Sequence, residues 1–253
     1  YKLKKNKLFS IKNNNKIISS RQKYNLIINS DPKHQITKKF FYNKFSKNYH
    51  SYGHVTLVQH KKIASNNIAT QIFTKKGPIA FLPISGSETS IVYSARGKKN
   101  IEKNELLYLI EKNLKEYDIK KINNFKSFEL KSINLRNYYH ENILAFGDLL
   151  HRLHPLAGQG FNMALRDIKA LSELINFKIN LGIQIDGSIC SEFEKKVKPQ
   201  NYLFSNSIDL IYEFFKLESK IKNKLMSRSI QILGKNKSIN KLFTKFADTG
   251  LVI

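Results

Sequence analysis

The chain has 253 residues and a formal net charge of +25, and 41% of its residues are hydrophobic. This composition excludes a disordered protein and allows one large domain or two modest ones. The single cysteine, Cys190, excludes an internal disulfide and a cysteine-based metal cluster, and it suits a reducing compartment. No apolar run approaches the roughly 18–20 residues that span a bilayer, and residues 1–30 lack the apolar core of a secretory signal.

The positive charge raises the question of a nucleic-acid partner, because lysine and arginine neutralise phosphates. The basic residues are mostly lysines scattered over the whole length, and they occur with many asparagines and isoleucines. Base reading and bidentate phosphate contacts favour arginine. We therefore predict no nucleic-acid partner, and at most a peripheral association of the basic surface with anionic lipid.

The first residues indicate that something precedes them. Residue 1 is Tyr, the only methionines are Met163 and Met226, and the first glycine is Gly53. No glycine-rich phosphate-binding loop can therefore accompany the early strands. We expect the sequence to be the carboxyl-terminal part of a longer protein, although a degenerate gene would give the same pattern.

The first half of the chain predicts mainly strands. Residues 1–28 form short basic strands that end in a buried strand at 24–28, and the turn signal Asn29–Pro32 closes it. The aromatic-rich segment 40–52 suits the core of a β-region better than a substrate-side wall. An antiparallel sheet follows, with Pro78 and Pro83 marking interruptions or an edge. Its strands are predicted at 55–58, 68–73, 79–82 and 90–93.

The second half alternates helices with single strands. An amphipathic helix is predicted at 101–117, and strands at 125–133 and 143–146. A helix that opens near Gly160 is followed by a second helix to about residue 196, which Pro199 punctuates. Residues 202–233 form one long helix or two consecutive ones that pack on the same domain. The helix that opens near Gly160 carries apolar residues on one face: Phe161, Leu165, Ile168, Leu171 and Ile175.

The stretch 146–162 combines a strand, a carboxylate, a glycine loop and a helix N-terminus. Such a loop directs several backbone N–H groups at one point, and the positive end of the helix dipole reinforces them. This geometry suits a ligand with anionic character and carbonyl oxygens. An ordinary strand–loop–helix connection, with glycines chosen for turn geometry, fits the same spacing.

The same stretch suggests two other kinds of site. His151 and His154 have i, i+3 spacing, but no third ligand lies at helical spacing from them. Asp148 and His151 could form half of a catalytic triad, yet no serine lies in a Gly-x-Ser-x-Gly turn. We predict neither a metal site nor a hydrolase.

The residues of this stretch also form a recognisable motif. The order Phe146-Gly147-Asp148, His151, then 154–162 and Leu165-Arg166-Asp167 resembles the second flavin motif of class A flavoprotein monooxygenases, and most closely their ubiquinone-biosynthesis hydroxylase branch. Segments 77–83 and 90–94 are similar to the substrate-domain strands of that branch. The tail follows its helical end loosely through Phe214-Phe215, Arg228 and 247–250.

The resemblance implies FAD as cofactor. Asp148 would bind the ribityl hydroxyls, and the loop 155–160 with the backbone of the next two residues would lie along the isoalloxazine ring and donate N–H groups to its pyrimidine oxygens. No catalytic acid or base is identifiable. The implied cofactor-binding residues are Gly147, Asp148, Pro155, Ala157, Gly158, Gln159, Gly160, Phe161 and Asn162.

The implied reaction is hydroxylation of an aromatic ring in ubiquinone biosynthesis through a flavin C4a-hydroperoxide. NAD(P)H would be the electron donor, and the substrates would be a polyprenylated phenol and O2. Other quinone-biosynthesis proteins are possible partners, and we expect a cytoplasmic protein, at most peripheral on the inner membrane. The alternatives are a related phenol-type hydroxylase outside the quinone pathway and a truncated, non-catalytic flavoprotein remnant.

Three features depart from the family pattern. The Gly-x-Gly-x-x-Gly loop for the ADP part is absent, so residues 1–253 alone should bind FAD poorly and be inactive. Only Asp31 remains of the middle motif, and Pro32 follows where glycine is usual. Leu149-Leu150 replaces a small pair, so these side chains either crowd the flavin or are absorbed by repacking.

The predicted fold is α/β (α+β). It combines an FAD/NAD(P)-binding Rossmann-like domain that is split in sequence with an antiparallel β-sheet substrate domain and C-terminal helices. The predicted segments are 1–34 (partial FAD-binding domain), 35–135 (substrate domain), 136–200 (FAD-binding domain with the flavin motif) and 201–253 (C-terminal helices).

Overall fold

The computed structural model describes residues 24–97, 100–113, 117–124, 126–155 and 159–221, together with residues 237, 238 and 241. The predicted strands before residue 24 and the predicted helical tail after residue 221 lie outside these ranges. The chain divides into two compact units, each made of three sequence segments. Unit 1 comprises residues 1–45, 133–152 and 161–202, and unit 2 comprises 46–132, 153–160 and 203–253.

The described elements alternate short strands with helices, in a mixed α/β order. In chain order they are β1 (Ile27–Asn29), α1 (Gln35–Phe40), β2 (Lys44–His60), β3 (Thr70–Thr74), β4 (Gly77–Ser85), β5 (Glu88–Arg96), α2 (Lys103–Asn113), β6 (Ile119–Ile122), β7 (Lys126–Leu135), β8 (Tyr139–His140), β9 (Ile143–Ala145), a 3₁₀ turn (Gly147–Leu149), β10 (His151–Arg152), α3 (Gln159–Asn180) and α4 (Ser188–Ile221).

Unit 1 contains a three-stranded sheet in the order β1-β9-β8. Strand β1 is parallel to β9, with Ile27 opposite Ile143, and β8 is antiparallel to β9. The parallel pair joins segments that are far apart in sequence, as a domain split in sequence requires. Helix α1 begins where the His34 Nδ1 atom accepts the N–H of Ile36 at 3.2 Å.

Helices α3 and α4 complete the core of unit 1. Helix α3 buries the apolar residues Met163, Ala170 and Leu171. Helix α4 buries Ile189 and Phe193 in the same core as the β9 strand. Apolar packing of an amphipathic face is the main source of helix stability in a protein of this kind.

Unit 2 contains an antiparallel sheet in which β7, β2, β5, β4 and β3 are neighbours in that order, and β6 also pairs with β2. Helix α2 covers one face of this sheet, because Leu106 and Ile110 share a core with β-strand residues such as Ile79 and Phe81. At Gly77 the backbone φ is +143°, and a Cβ atom would lie 1.9 Å from the Ser94 carbonyl oxygen. Only glycine fits there.

The predicted α/β class with an antiparallel sheet is confirmed, and the predicted strands of 55–94 all form. One prediction about prolines is confirmed in one of its two forms: β4 is an interior strand rather than an edge, and its register is interrupted between Pro83 and Ser85. Another is corrected, because helix α4 does not end at Pro199 but continues through it to Ile221. Burial of Phe193 and Val197 before the proline, and of Phe204 after it, outweighs a cost of about 3 kcal/mol.

Two further predictions need revision. Residues 40–52 do not form a single β-region, since α1 ends at Phe40 and β2 begins at Lys44. The apolar stripe predicted on α3 is a helix face, but Phe161, Leu165 and Ile168 on it are exposed. No helix within the described residues is both long and apolar enough to cross a bilayer.

Candidate functional site

The predicted carboxylate lies on a tight turn after a fully buried strand. All three residues of β9 are buried, and a 3₁₀ turn follows at Gly147–Leu149. Gly147 has φ +64°, a conformation that favours glycine. The Leu150 N–H donates to the Gly147 carbonyl at 2.9 Å, which closes the turn. The turn exposes the side chain of Asp148 and buries that of Leu149.

The leucine pair does not project with Asp148. Leu149 and Leu150 both belong to the buried core of unit 1, among side chains from β9, α3 and α4. Of the two outcomes considered from the sequence, absorption by repacking is the one that the structure shows. The carboxylate of Asp148 is left without a hydrogen bond or ion pair to any described residue, and it is therefore available to a ligand.

The rest of the predicted loop is described in part. Ala157 and Gly158 lie outside the described residues. Pro155 is half-buried, and α3 begins at Gln159, so Gln159 and Gly160 are its first two residues. The four N–H groups at the start of a helix have no partner within it and favour an anionic or carbonyl acceptor.

Seven of the nine predicted flavin contacts are described. Gly147, Asp148, Phe161 and Asn162 belong to unit 1, whereas Pro155, Gln159 and Gly160 belong to unit 2. A Cβ atom built on Gly147 would meet no heavy atom within 4 Å, so a ligand can approach that backbone. The carboxylate of Asp148 suits ribityl hydroxyls, and the N–H groups of Phe161 and Asn162 suit pyrimidine oxygens. The unit 1 residues thus fit a flavin, and their assignment to it stays a prediction.

The carboxylate partner of His151 is not Asp148. The His151 Nε2 atom lies 2.6 Å from Oδ2 of Asp167 on α3, and both side chains are buried. Asn201 on α4 donates its Nδ2–H to Oδ1 of the same carboxylate at 3.0 Å. Burial, followed by the charge of Asp167, raises the pKa of the nearby Tyr138 hydroxyl, which also hydrogen-bonds Asn201.

His154 lies in unit 2 in a different environment. Its ring packs edge-on against Tyr49 of β2 at a centroid distance of 4.8 Å and lies 4.5 Å from the ring of Tyr212 on α4. Neither ring nitrogen has a hydrogen-bond partner among the described residues. Burial lowers the pKa of His154 to about 4, so the imidazole is neutral near pH 7.

The Tyr49 hydroxyl connects the loop to its surroundings. It accepts hydrogen bonds from the backbone of His154 and from Ser132, and it donates to the carboxylate of Asp209. Burial and the Asp209 contact both raise the pKa of Tyr49. Tyr212 in turn shares a 3.0 Å hydrogen bond with Ser51. The Tyr49 hydroxyl, itself part of this set of hydrogen bonds, thus holds the backbone of His154, the residue that precedes Pro155.

Sequence reasoning missed most of these supporting residues. Asp167 was noted only as the end of a motif, and Asn201, Tyr49, Tyr212 and Asp209 were not singled out. One signal was present: Asp167 falls on the face of α3 that also carries Met163, Ala170 and Leu171, and a carboxylate on a buried face requires a partner. The described residues hold no group of three or more histidine, cysteine or acidic side chains placed to bind a metal.

Asp31, the remnant of the middle motif, has a local role. Its Oδ1 atom accepts the N–H of Lys33 at 2.8 Å, and its carbonyl accepts the hydroxyl of Thr37 at 2.6 Å. These bonds form the turn that leads into α1. One oxygen of the Asp31 carboxylate therefore serves this turn.

Comparison with known proteins places this geometry among flavoproteins. A family model described as an FAD binding domain matches residues 34–180. The ubiquinone biosynthesis monooxygenase COQ6 of Schizosaccharomyces pombe is 20% identical over an alignment of 274 residues. The alignment covers 89% of this chain and 57% of that protein. The COQ6 protein of Dictyostelium discoideum is 36% identical over 90 residues, covering 35% of this chain and 18% of its own length.

Solved structures share the fold at low sequence identity. The p-nitrophenol 4-monooxygenase PnpA from Pseudomonas putida superposes with a TM-score of 0.69 and 12% identity, over 90% of this chain and 60% of its own. The chain thus spans little more than half the length of the Schizosaccharomyces pombe protein and of PnpA.

Proposed function

Because the chain belongs to the FAD binding domain family, we propose that it forms the flavin-ring part of an FAD-dependent monooxygenase of ubiquinone biosynthesis. The proposed reaction transfers one atom of O2 to an aromatic ring and releases the other as water, while NAD(P)H is oxidised. Two observations support this reaction. The COQ6 relatives are named for ubiquinone biosynthesis, and PnpA is named for the monooxygenation of p-nitrophenol.

The residues of this chain would bind and orient the cofactor. The free carboxylate of Asp148 would accept hydrogen bonds from the ribityl hydroxyls, and the backbone N–H groups of Phe161 and Asn162 would donate to carbonyl oxygens. Bound FAD would supply the electron transfer and the activation of O2. The protein would hold the ring and exclude water from it.

The observation that carries the proposal is the position of Asp148. A carboxylate at the end of a buried strand, exposed and unpaired within the described residues, has no structural task among them. Gly147 makes the turn, and Leu149 and Leu150 fill the core. Of these four residues, Asp148 is the one whose side chain is left available, which supports a role in binding a ligand.

The substrate and partners are proposed from the same relatives. We propose a polyprenylated phenol as substrate and other quinone-biosynthesis proteins as partners. A cytoplasmic protein with a net charge of +25 would associate peripherally with an anionic membrane surface. That location would bring it to a substrate that dissolves in lipid.

Flavin binding tests the proposal. We expect Asp148→Ala to weaken FAD binding roughly tenfold or more, because a hydrogen bond to a charged group contributes about 1.5–3 kcal/mol. The measurement is quenching of FAD fluorescence on titration with the longer protein of which we expect this chain to be part, because residues 1–253 alone should bind FAD poorly. Glu173→Ala is the control, since Glu173 is an exposed acidic residue on α3 that pairs with Lys196. Equal affinity of the Asp148→Ala variant and the unsubstituted chain would refute the assignment.

A further inference from the structure

Asp167 is a carboxylate placed where a helix would ordinarily present an apolar side chain. It lies on the buried face of α3, and its side chain is only 1% exposed. An ionised carboxylate in such surroundings is costly unless it is paired and hydrogen-bonded. Both of its oxygens are engaged: Oδ2 with His151 Nε2 at 2.6 Å, and Oδ1 with Asn201 Nδ2 at 3.0 Å.

The carboxylate fixes the orientation of His151. A carboxylate only accepts hydrogen bonds, so Nε2 of His151 carries the proton that lies between the two groups. The imidazole ring is therefore held with one edge against α3. The backbone of His151 also pairs with Asn134 of β7, which fixes the position of His151 relative to that strand.

The bond joins the two pieces of unit 1 that carry predicted flavin contacts. His151 follows Asp148 by three residues, and the intervening Leu150 accepts the N–H of Leu135 at 3.0 Å. Asp167 follows Asn162 by five residues on the same helix, which is about 7.5 Å along its axis. The spacing between the Asp148 turn and the first turn of α3 thus depends on the contact between His151 and Asp167.

We propose that Asp167 and His151 are positioning residues for the flavin: their buried hydrogen bond, completed by Asn201, fixes the Asp148 turn at one spacing from the start of α3. The inference rests on the proposed function, because it assumes that a flavin occupies this turn. Stability alone is a poor explanation, since well-packed apolar residues can replace a buried ion pair without loss of stability. A polar pair has directional geometry, which a ligand with fixed hydroxyl and carbonyl positions requires.

Conservative replacement separates positioning from packing. In His151→Gln, the side-chain amide can still donate to Asp167, whereas in His151→Leu the space is filled but the hydrogen bond is lost. We expect the glutamine variant to keep FAD affinity within roughly threefold of the unsubstituted chain, and the leucine variant to lose roughly tenfold or more. A residue that only filled space would give the reverse order.

Two further variants control for stability. His151→Leu/Asp167→Leu removes both partners of the hydrogen bond together and leaves no buried carboxylate unpaired, so it tests the same bond if the single leucine variant unfolds. Cys190→Ala creates a small cavity in the same core, far from the motif in sequence and without a bond to it. We expect the double variant to bind FAD weakly at a melting temperature above that of His151→Leu, and Cys190→Ala to bind normally at a melting temperature below that of the unsubstituted chain.

The experiment measures FAD affinity by fluorescence quenching and the visible circular dichroism of the bound flavin in the longer protein of which we expect this chain to be part. It also measures thermal unfolding of the 253-residue chain. Weaker binding and an altered flavin dichroism band in the leucine variants, with rescue by glutamine, support the inference. FAD affinity unchanged in the leucine variants, or no rescue by glutamine, overturns this inference alone. Failure of the longer protein, of which we expect this chain to be part, to bind FAD overturns the proposed function and this inference with it. Weak binding by residues 1–253 alone is the expected result.

Discussion

His151 and His154 are three residues apart and both are almost fully buried, yet their surroundings have opposite chemistry. His151 in unit 1 makes a 2.6 Å hydrogen bond to the carboxylate of Asp167. His154 in unit 2 packs between the rings of Tyr49 and Tyr212, and neither of its nitrogens has a partner among the described residues. The i, i+3 spacing suggests one shared site in the sequence, but in the structure the two histidines have separate sets of contacts.

The difference predicts opposite responses to substitution. At His151 the Nε2 atom is hydrogen-bonded to Asp167, although Nδ1 has no partner among the described residues, so removal of Asp167 leaves further buried polar groups unpaired. The ring of His154 is well packed, but its two nitrogens are buried without hydrogen bonds to any described residue, which lowers the free energy of unfolding. Removal of these nitrogens should therefore stabilise the folded chain. One histidine is held by hydrogen bonding and the other by its shape.

The largest expected effect is at Asp167. Asp167→Ala leaves His151 and Asn201 buried without their shared acceptor, and we expect a loss of about 3–5 kcal/mol in the free energy of unfolding. Chemical denaturation followed by circular dichroism at about pH 7 measures it.

A matched comparison uses Asp186→Ala. Asp186 is exposed and bonds mainly to Ser188 at the start of α4, so its loss should cost only about 1 kcal/mol. Equal losses in the two variants would show that the Asp167 contact is no stronger than an ordinary helix cap, and the contrast between the two histidines would fail.

The second effect is on the pH dependence of stability. The pKa of His154 falls from the usual 6.5 to about 4 in the folded chain, so between these values the unfolded chain binds a proton and the folded chain does not. The free energy of unfolding is therefore unaffected by this group above about pH 7. It decreases as the pH falls toward 4, by about 2 kcal/mol at pH 5. The measurement is denaturant unfolding of the unsubstituted chain and of His154→Phe at several pH values.

The difference between the two proteins isolates the histidine, because the other titrating groups are common to both. The advantage of the phenylalanine variant should grow as the pH falls. A difference that stays constant from about pH 8 to pH 5 would mean that His154 accepts a proton in the folded state as readily as in the unfolded one.

Much of the fold was accessible from sequence because it follows from local periodicity. The strands within 55–94 have period-two patterns with turn signals between them, and α3 has apolar residues at helical spacing. The turn at Gly147-Asp148 was also accessible, since glycine before a carboxylate at a strand end is a local signal. Element positions and the candidate flavin residues therefore came from short windows.

The supporting contacts were not accessible because their partners are distant in sequence. Asp167 is 16 residues from His151 and 34 from Asn201, and Tyr49 is 160 residues from Asp209. No window contains both members of such a pair. The passage of α4 through Pro199 was missed for a related reason, since the packing that offsets the proline comes from residues of other segments.

The smallest effect is the sharpest test of the comparison. At about pH 7, we expect His154→Phe to raise the free energy of unfolding by about 1 kcal/mol, because a ring of similar shape keeps the contacts with Tyr49 and Tyr212 while two unpaired buried nitrogens are removed. In a chain of this size, that gain raises the melting temperature by about 2–4 °C.

His154→Ala is the control for shape, since it removes the nitrogens together with the ring and should lower the melting temperature through the cavity that it leaves. If His154→Phe is also destabilising, the nitrogens must have partners in solution such as an ordered water, and His154 would then be held by hydrogen bonds as His151 is.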